Sequence, residues 1–214
     1  MTVFAELARQ KPGTRIKVVE LGCAHGKRFA ILDDRFDIDY TGIEVDEGPV
    51  NIARPRYAHR KNFKAIHNSA ELELVELQNA DIVVALEALE HIPEHIVVRI
   101  AEAGAAAHSH PFVCSVPVEV GPAVWRKNVG SLITGYIRHR EYRWAETFWA
   151  GLYQLGTLPP HGTGHKGVDW RWLAQTVRHN MKITEIRRLP MAFLPAALSF
   201  TVFIVAEPRQ SAQA

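Results

Sequence analysis

Short apolar segments recur along the 214-residue chain and are separated by longer amphipathic or polar segments. Apolar runs of about four to eight residues are typical of strands buried in a sheet. They predict strands near 16–21, 40–45, 64–67, 82–86, 112–117, 182–189 and 200–205. Helical patterns lie between the early strands, notably at 94–107, whereas the last two strands have none between them. A late helix is predicted over 170–179, with Asp169 as its N-cap and Asn180 as a left-handed stop. The pattern therefore predicts a βαβ series with a parallel sheet and right-handed crossovers, ending in an antiparallel edge.

Residues 18–26, Val-Val-Glu-Leu-Gly-Cys-Ala-His-Gly, join the first predicted strand to a helical run through a glycine-rich turn. Such a turn at the carboxyl end of a strand is typical of loops that bind small molecules. The dinucleotide fingerprint would need glycine where Ala24 and Lys27 stand, and a phosphate loop would need one more residue between the glycines, then Lys and Ser or Thr. Both sites are therefore disfavoured.

A second strand ends in acid at Tyr-Thr-Gly-Ile-Glu-Val-Asp, residues 40–46. An acid about 20 residues beyond a glycine-rich turn commonly binds ribose hydroxyls. Glu44 is the first candidate, because its carboxylate can accept both the 2′ and 3′ hydroxyls, and Asp46 is the second. The alternative is a solvated acid at a strand end.

A third signal is the segment 80–93, in which a continuous apolar run passes into Leu89-Glu90-His91-Ile92. An uninterrupted apolar strand suits a parallel sheet buried on both faces. Together, the three segments resemble the class I S-adenosylmethionine-dependent methyltransferase family. The shared features are an acid before the glycine-rich turn, an acid after the second strand and a Leu-Glu-His sequence after the fourth strand. The resemblance covers 16–120 well and 165–206 by pattern. It departs from the family at Ala24, where a second glycine is usual.

The resemblance implies an α/β fold, Rossmann-like and doubly wound, with a mostly parallel seven-stranded sheet, an antiparallel last strand and a helical insert after strand 5. It implies S-adenosyl-L-methionine as cofactor, whose sulfonium and amine suit the acid Glu20. The residues that it places at the cofactor are Glu20, Gly22, Cys23, Ala24, Gly26, Glu44, Val45, Ser69, Ala70, Leu86 and Glu87. Ser69 stands where the family often has an acid for the adenine amine, and Asn68 is a substitute.

The implied activity is methyl transfer to an oxygen or nitrogen of a small-molecule, lipid-linked or sugar-linked acceptor. The alternatives are a non-catalytic cofactor-binding or interaction protein on the same fold and a nucleotide-dependent oxidoreductase, which the failed glycine positions disfavour. Methyl transfer needs mainly proximity and orientation, and an oxygen or nitrogen acceptor can also need a general base. The candidate bases are His91, Glu119, His161 and His165, of which His91 and His165 are the predicted catalytic residues. The alternative for His91 is a histidine that starts a helix and bonds to the backbone.

Residues 121–164 match no motif, and the insert 121–166 contains two amphipathic helical patterns. Spacings of three and four residues predict two apolar faces. The first runs through Trp125, Val129, Leu132, Ile133, Tyr136 and Ile137, and the second through Tyr142, Ala145, Trp149, Leu152 and Tyr153. Six basic residues stand against Glu141 and Glu146. The hypotheses are a fixed helical pair, a mobile substrate lid and a basic surface that touches anionic lipid.

Composition sets the remaining bounds. A formal net charge of +2 gives no indication of a nucleic-acid partner. Cys23 and Cys114 match no metal or disulfide spacing, and the segment 1–15 does not read as a secretory signal, so a cytoplasmic protein is expected. The apolar stretch 189–206 is interrupted by Pro190 and Pro195, so it reads as a final strand and not as a membrane span. One domain over 1–206 and a flexible tail at 207–214 are predicted.

Overall fold

A computed structural model of the chain describes residues 2–68, 74–106, 110–134, 143–157, 166–190, 193 and 195–209. The strands are β1 (Ile16–Leu21), β2 (Ile38–Glu44), β3 (Phe63–His67), β4 (Ile82–Leu86), β5 (Phe112–Pro117), β6 (Met181–Leu189) and β7 (Thr201–Pro208). They form one sheet in the order β3-β2-β1-β4-β5-β7-β6. Of these seven strands, β7 runs antiparallel to both its neighbours and the others share one direction. The predicted doubly wound sheet with an antiparallel last strand is confirmed.

Helices connect the parallel strands and cover both faces of the sheet. They are α1 (Thr2–Gln10), α2 (Lys27–Asp33), α3 (Glu47–Arg56), α4 (Leu74–Gln78), α5 (Glu94–Ala106), α6 (Pro122–Thr134), α7 (Trp144–Gly151) and α8 (Trp170–Asn180). Asp169 caps α8 as predicted, since its carboxylate accepts a hydrogen bond from the Arg171 amide at 2.9 Å. The predicted left-handed stop at Asn180 is wrong. Asn180 is the last helical residue, and the chain passes into β6 through an extended Met181 with φ −130°.

The core lies on the two faces of the sheet. On one face, residues of α5 and α8 such as Ile100 and Val177 pack against the strands. On the other, Phe4, Phe29 and Tyr40 belong to a second buried cluster with α1 and α2. Because helices cover both faces, the central strand β4 is buried along nearly its whole length, and its sequence is therefore continuously apolar rather than alternating.

The helices α6 and α7 of the insert pack against each other. Trp125 of the predicted apolar face of α6 lies in this contact, whereas several other members of the two predicted faces do not. In α6 the buried residues include Val124 and Asn128, whereas Val129 is 55% exposed. In α7 the buried residues are Thr147, Ala150 and Gly151, whereas the predicted stripe members Ala145, Trp149 and Leu152 are exposed. Tyr136, Ile137 and Tyr142 lie outside the described residues.

The close approach of α6 to α7 explains why these apolar residues lie outside the contact. The Trp125 indole lies so near α7 that a Cβ on Gly151 would stand 1.9 Å from its Nε1. That nitrogen donates to the Thr147 carbonyl at 3.0 Å, and the Asn128 amide donates to the Thr147 hydroxyl at 2.7 Å. Trp125 therefore meets small and hydrogen-bonding residues of α7, and the apolar residues Val129, Trp149 and Leu152 are left exposed on the outer side.

The carboxyl-terminal part of the domain follows the predicted strand pattern. Strand β7 extends to Pro208, so Glu207 and Pro208 belong to the sheet and not to the predicted tail. Residues 210–214 lie outside the described residues. Among the described helices, none has the length and apolar character needed to cross a membrane.

Candidate active site

The carboxyl ends of β1, β2, β4 and β5 meet at one edge of the sheet. The register places Leu21 beside Ile43 and Leu86 beside Ser115, so the four following loops converge there. The strand order reverses between β1 and β4: β2 and β3 follow on the far side of β1, and β5 follows on the far side of β4. In open α/β sheets, ligands bind in the crevice outside such a reversal.

Glu20, at the end of β1, is buried beneath the glycine-rich turn. Its carboxylate accepts hydrogen bonds from the Arg28 guanidinium and from the Tyr40 hydroxyl. Burial raises the pKa of Glu20, and the neighbouring Arg28 opposes that rise. Glu20 therefore positions Arg28 and Tyr40. Direct contact between Glu20 and the cofactor remains a prediction.

Gly22 and Gly26 adopt the left-handed φ values of +71° and +72°. A Cβ on Gly22 would stand 2.5 Å from the Cβ of Ala88, and one on Gly26 would stand 2.8 Å from the Tyr57 ring. Both glycines are thus required by the packing of the protein itself. A side chain at Gly22 would therefore disturb the packing of the turn itself. Ala24 is also left-handed, at φ +45°, which is the conformation expected of the family's usual glycine.

Glu44 ties the glycine-rich turn to the end of β2. Its Oε2 accepts from the Ala24 amide at 2.8 Å, and its Oε1 accepts from the Val45 and Asp46 amides at 2.9 and 3.2 Å. A carboxylate has about four acceptor positions, so one remains on Oε2. The predicted bidentate contact with a ribose would displace a backbone donor, whereas a contact with one hydroxyl would not. Asp46 has a different role, because it caps α3 by accepting from the Gly48 amide.

Cys23 is not a nucleophile in this turn. It is 4% exposed, and burial together with the charges of Glu20 and Glu44 raises the pKa of its thiol to about 12. The thiol is therefore protonated at neutral pH and fills space against Gly42. No cluster of His, Cys, Asp or Glu suited to a metal ion occurs in the described ranges.

The turn after β4 carries the Leu86-Glu87 pair and His91. Glu87 has a left-handed φ of +52°, and its carboxylate accepts from the Ser115 hydroxyl at 3.1 Å. Its amide donates to the Ser115 carbonyl at 3.0 Å. His91 ends a 3-10 turn (Leu89–His91) and is exposed, while its amide donates to the Ala88 carbonyl. It closes a turn and does not start a helix; its catalytic role stays a prediction.

Glu90 is the residue of this turn that the sequence analysis missed. It is 1% exposed, and neither carboxylate oxygen accepts a hydrogen bond from another residue in the described part of the chain. Burial, with the charges of Glu87 and Glu119, raises its pKa to about 7. The spacing Glu87-x-x-Glu90 directly after a fully apolar strand is the signal that could have identified it.

Glu119, one of the candidate bases, lies beyond the end of β5 and is fully buried. Its Oε1 pairs with the Lys127 ammonium of α6 at 3.0 Å. The same ammonium donates to the Val118 carbonyl at 2.9 Å, so α6 closes over the end of β5. Glu119 is thereby brought to the same edge as Glu87 and Glu90. Ser69, Ala70, His161 and His165 lie outside the described residues.

A groove of about 1390 Å³ lies away from this edge. Residues at its walls include Leu7 of α1, Pro111, Met181 and Pro208. Pro111 precedes β5, and Met181 at the start of β6 pairs with Pro208 at the end of β7. The groove therefore lies at the amino ends of the parallel strands, opposite the edge where the candidate residues converge.

This strand order, with a glycine-rich turn after β1 and an acid after β2, defines an α/β protein of Rossmann-like methyltransferase type. A family described as a methyltransferase domain matches residues 2–110, just over half of the chain. The chain belongs to this methyltransferase-domain family, and its cofactor is S-adenosyl-L-methionine.

Solved structures share the fold at low sequence identity. The methyltransferase domain of bacterial CtHen1-C has 16% identity and a TM-score of 0.61, with 97% of this chain and 95% of that one covered. A TehB-like SAM-dependent methyltransferase from Corynebacterium glutamicum has 10% identity and a TM-score of 0.57, covering 96% and 86%. Geranyl diphosphate C-methyltransferase from Streptomyces coelicolor, in complex with S-adenosyl-L-homocysteine, has 11% identity and a TM-score of 0.57, covering 95% and 74%. No protein with a curated description matches the sequence.

Proposed function

We propose that the protein transfers a methyl group from S-adenosylmethionine to an oxygen or nitrogen of a small-molecule, lipid-linked or sugar-linked acceptor. The observation that carries the proposal is the placement of Glu44. Its carboxylate is fixed by three backbone amides beside the glycine-rich turn, and it keeps one acceptor position for a hydroxyl. A carboxylate acceptor at this place fits a ribose hydroxyl of an adenosyl group, which would donate to it.

The bound cofactor would supply an electrophilic methyl group on a sulfonium, a good leaving group. The protein's contribution is to hold this group and the acceptor in line, which is mainly a matter of orientation. Glu44 would hold the ribose, the backbone of 22–26 would face the methionine part, and Val45, Leu86 and Glu87 would line the remaining surface.

Replacement of Glu44 tests this assignment. Glu44→Gln keeps the size of the side chain but removes a charge-assisted hydrogen bond, so binding of S-adenosylhomocysteine should weaken by about 1.5–3 kcal/mol, or roughly 10- to 150-fold. Calorimetric titration measures this directly. Asp46→Asn is the matched control, because Asp46 is a neighbouring acid engaged in a helix cap. Equal affinities in wild type and Glu44→Gln would contradict the assignment, and a response to NAD in place of S-adenosylhomocysteine would favour the oxidoreductase alternative.

The insert is proposed to select the acceptor. It follows β5 at the carboxyl edge of the sheet, and its helix α6 contacts Glu119 through Lys127. Its outer side is apolar, with Ile133 at 81%, Trp144 at 71% and Phe148 at 53% exposure. An apolar or lipid-linked acceptor suits such side chains.

Several basic residues of the insert make contacts within the protein, unlike those expected for a basic lipid-binding surface. Lys127 pairs with Glu119 and Lys166 pairs with Glu146. Arg126 donates to the Leu198 carbonyl and lies over the Phe200 ring. These three basic residues therefore serve contacts within the protein, which favours the apolar residues over the charges as acceptor determinants. Arg138 and Arg140 lie outside the described residues.

Trp149→Ala tests acceptor selection by the insert. Trp149 is 37% exposed and stacks edge-on against Phe148, so its truncation should leave the fold and cofactor affinity unchanged. Labelled-methyl transfer over a panel of apolar and polar acceptors should fall about tenfold or more for the apolar ones. Loss of S-adenosylhomocysteine binding in this variant would assign the insert to the cofactor site instead.

A further inference from the structure

Glu90 is a fully buried carboxyl group without a hydrogen-bond partner from another residue in the described ranges. A buried polar group of this kind costs stability, and native structures retain few of them. Such a group indicates a partner that the described part of the chain does not supply.

The charges around Glu90 are those of Glu87 and Glu119, both of which repel a second negative charge. Glu119 is neutralised by Lys127, and Glu87 is held by the Ser115 hydroxyl. His91 follows Glu90 in the chain but is exposed. The two neighbouring acids are thus engaged by other residues, whereas Glu90 is left to accept a proton.

The turn that carries Glu90 is packed on the cofactor loop. Ala88 lies against Gly22, so closely that a Cβ on Gly22 would stand 2.5 Å from the Ala88 Cβ. This contact lies between the ends of β1 and β4, where the strand order reverses. Glu90 is therefore on the edge of the sheet to which the reacting groups are brought.

We propose that Glu90 accepts the proton of the methyl acceptor, directly or through one water molecule, and that the acceptor atom is therefore an oxygen or nitrogen that carries hydrogen. This inference rests on the proposed methyl transfer. As the acceptor atom forms its bond to the methyl carbon, the carbon–sulfur bond breaks and its electron pair stays on sulfur. The proton released from the acceptor passes to a Glu90 carboxylate oxygen.

Two further properties support the assignment. A general base works best when its pKa lies near the working pH, and burial brings the pKa of Glu90 to about 7. The 3-10 turn that carries it packs against β5, so the position of the carboxyl group is set by the sheet and not by a free loop.

The test compares two ligands that differ at the reacting sulfur. S-adenosylmethionine carries a positive sulfonium and S-adenosylhomocysteine a neutral thioether, while their amine, carboxylate and ribose are the same. If Glu90 lies beside the sulfur, its ionised form binds the sulfonium ligand better, so the affinity ratio of the two ligands depends on pH. By linkage, a preference that lowers the Glu90 pKa by one unit is a tenfold change in that ratio.

Calorimetric titration of both ligands at pH 6 and pH 8 measures the ratio without any acceptor. In the wild type, a lowering of the Glu90 pKa by one unit should raise the preference for S-adenosylmethionine about fivefold from pH 6 to pH 8, because Glu90 in the S-adenosylmethionine complex is already about half ionised at pH 6. Glu90→Gln should remove the rise and still bind S-adenosylhomocysteine. Glu102→Gln, an exposed glutamate of α5, should behave as the wild type.

A ratio that is independent of pH in the wild type, or a rise that persists in Glu90→Gln, would overturn the role of Glu90 while leaving the proposed methyl transfer intact. Failure of the folded wild type to bind either ligand would overturn the proposed function and this inference with it. Carbon-13 detection of the Glu90 carboxyl in the wild type provides a second measurement that needs no variant. Its titration midpoint should be lower with S-adenosylmethionine than with S-adenosylhomocysteine, and equal midpoints would refute the proposal.

Discussion

Replacing Glu90 by Gln should stabilise the protein at alkaline pH and have much less effect at acid pH. The substitution keeps the shape of a side chain that is 1% exposed and removes its ability to ionise. The reason is a buried carboxyl group whose charge is opposed by desolvation and by Glu87 and Glu119. In the folded protein its pKa is about 7, against a usual 4.5.

The sign and size follow from proton linkage. Between pH 4.5 and about 7 the unfolded chain loses the Glu90 proton while the folded protein keeps it, so the free energy of unfolding falls as the pH rises. Each pKa unit corresponds to about 1.4 kcal/mol, and the full cost above pH 7 is therefore about 3 kcal/mol. At pH 5 the cost is about 1 kcal/mol. Glu90→Gln should recover these amounts, because glutamine stays neutral in both states.

Equilibrium urea unfolding at pH 5, 6, 7 and 8 measures the difference between variant and wild type. The gain in unfolding free energy should grow from about 1 kcal/mol at pH 5 to about 3 kcal/mol at pH 8. Glu102→Gln, on the exposed side of α5, should stay within about 0.5 kcal/mol of the wild type throughout. A gain that does not change with pH, or a loss of stability at pH 8, would refute the reasoning.

Two further predictions concern the glycine-rich turn. Ala24→Gly should leave the free energy of unfolding unchanged or raise it by up to about 1 kcal/mol, because Ala24 has a left-handed φ of +45° and glycine relieves that strain at some entropic cost; a loss above about 1 kcal/mol in urea unfolding would contradict this. Gly22→Ala should cost about 2–4 kcal/mol, since its new methyl group would meet the Ala88 Cβ at a φ that disfavours alanine. Ala88→Gly in the same chain should restore part of that loss, and strictly additive effects of the two substitutions would show that the contact is not the cause.

Much of the fold follows from local patterns. Strands buried on both faces need uninterrupted apolar runs, and β4 and β5 begin and end where those runs do. The acid positions Glu20 and Glu44 are also visible in the sequence, because they directly follow an apolar segment or end one. The same holds for the Asp169 cap, whose hydrogen bond is made within two residues of the chain.

The packing of the insert could not be obtained in this way. Periodicity identified α6 and α7 as amphipathic, but the side of a helix that is buried depends on what lies against it. Here the close approach of Trp125 to Gly151 favours the small-residue side of α7. Asn180 was expected to end α8 in a left-handed turn, and the chain instead continues into β6, because the sheet supplies its next hydrogen bonds.

The residues of the site likewise divide into those that local sequence identifies and those whose properties depend on long-range packing. The sequence by itself determined the class of fold, the glycine-rich turn and the acid after β2, because these depend on short segments and their spacing. Only the tertiary structure buried Glu90 and brought Glu119 near it, and this burial, together with the charges of Glu87 and Glu119, raises the pKa of Glu90 to about 7. It also turned Glu20 inward to Arg28 and Tyr40. Burial and the approach of charges from other strands are long-range effects, and the order of residues along one strand does not contain them.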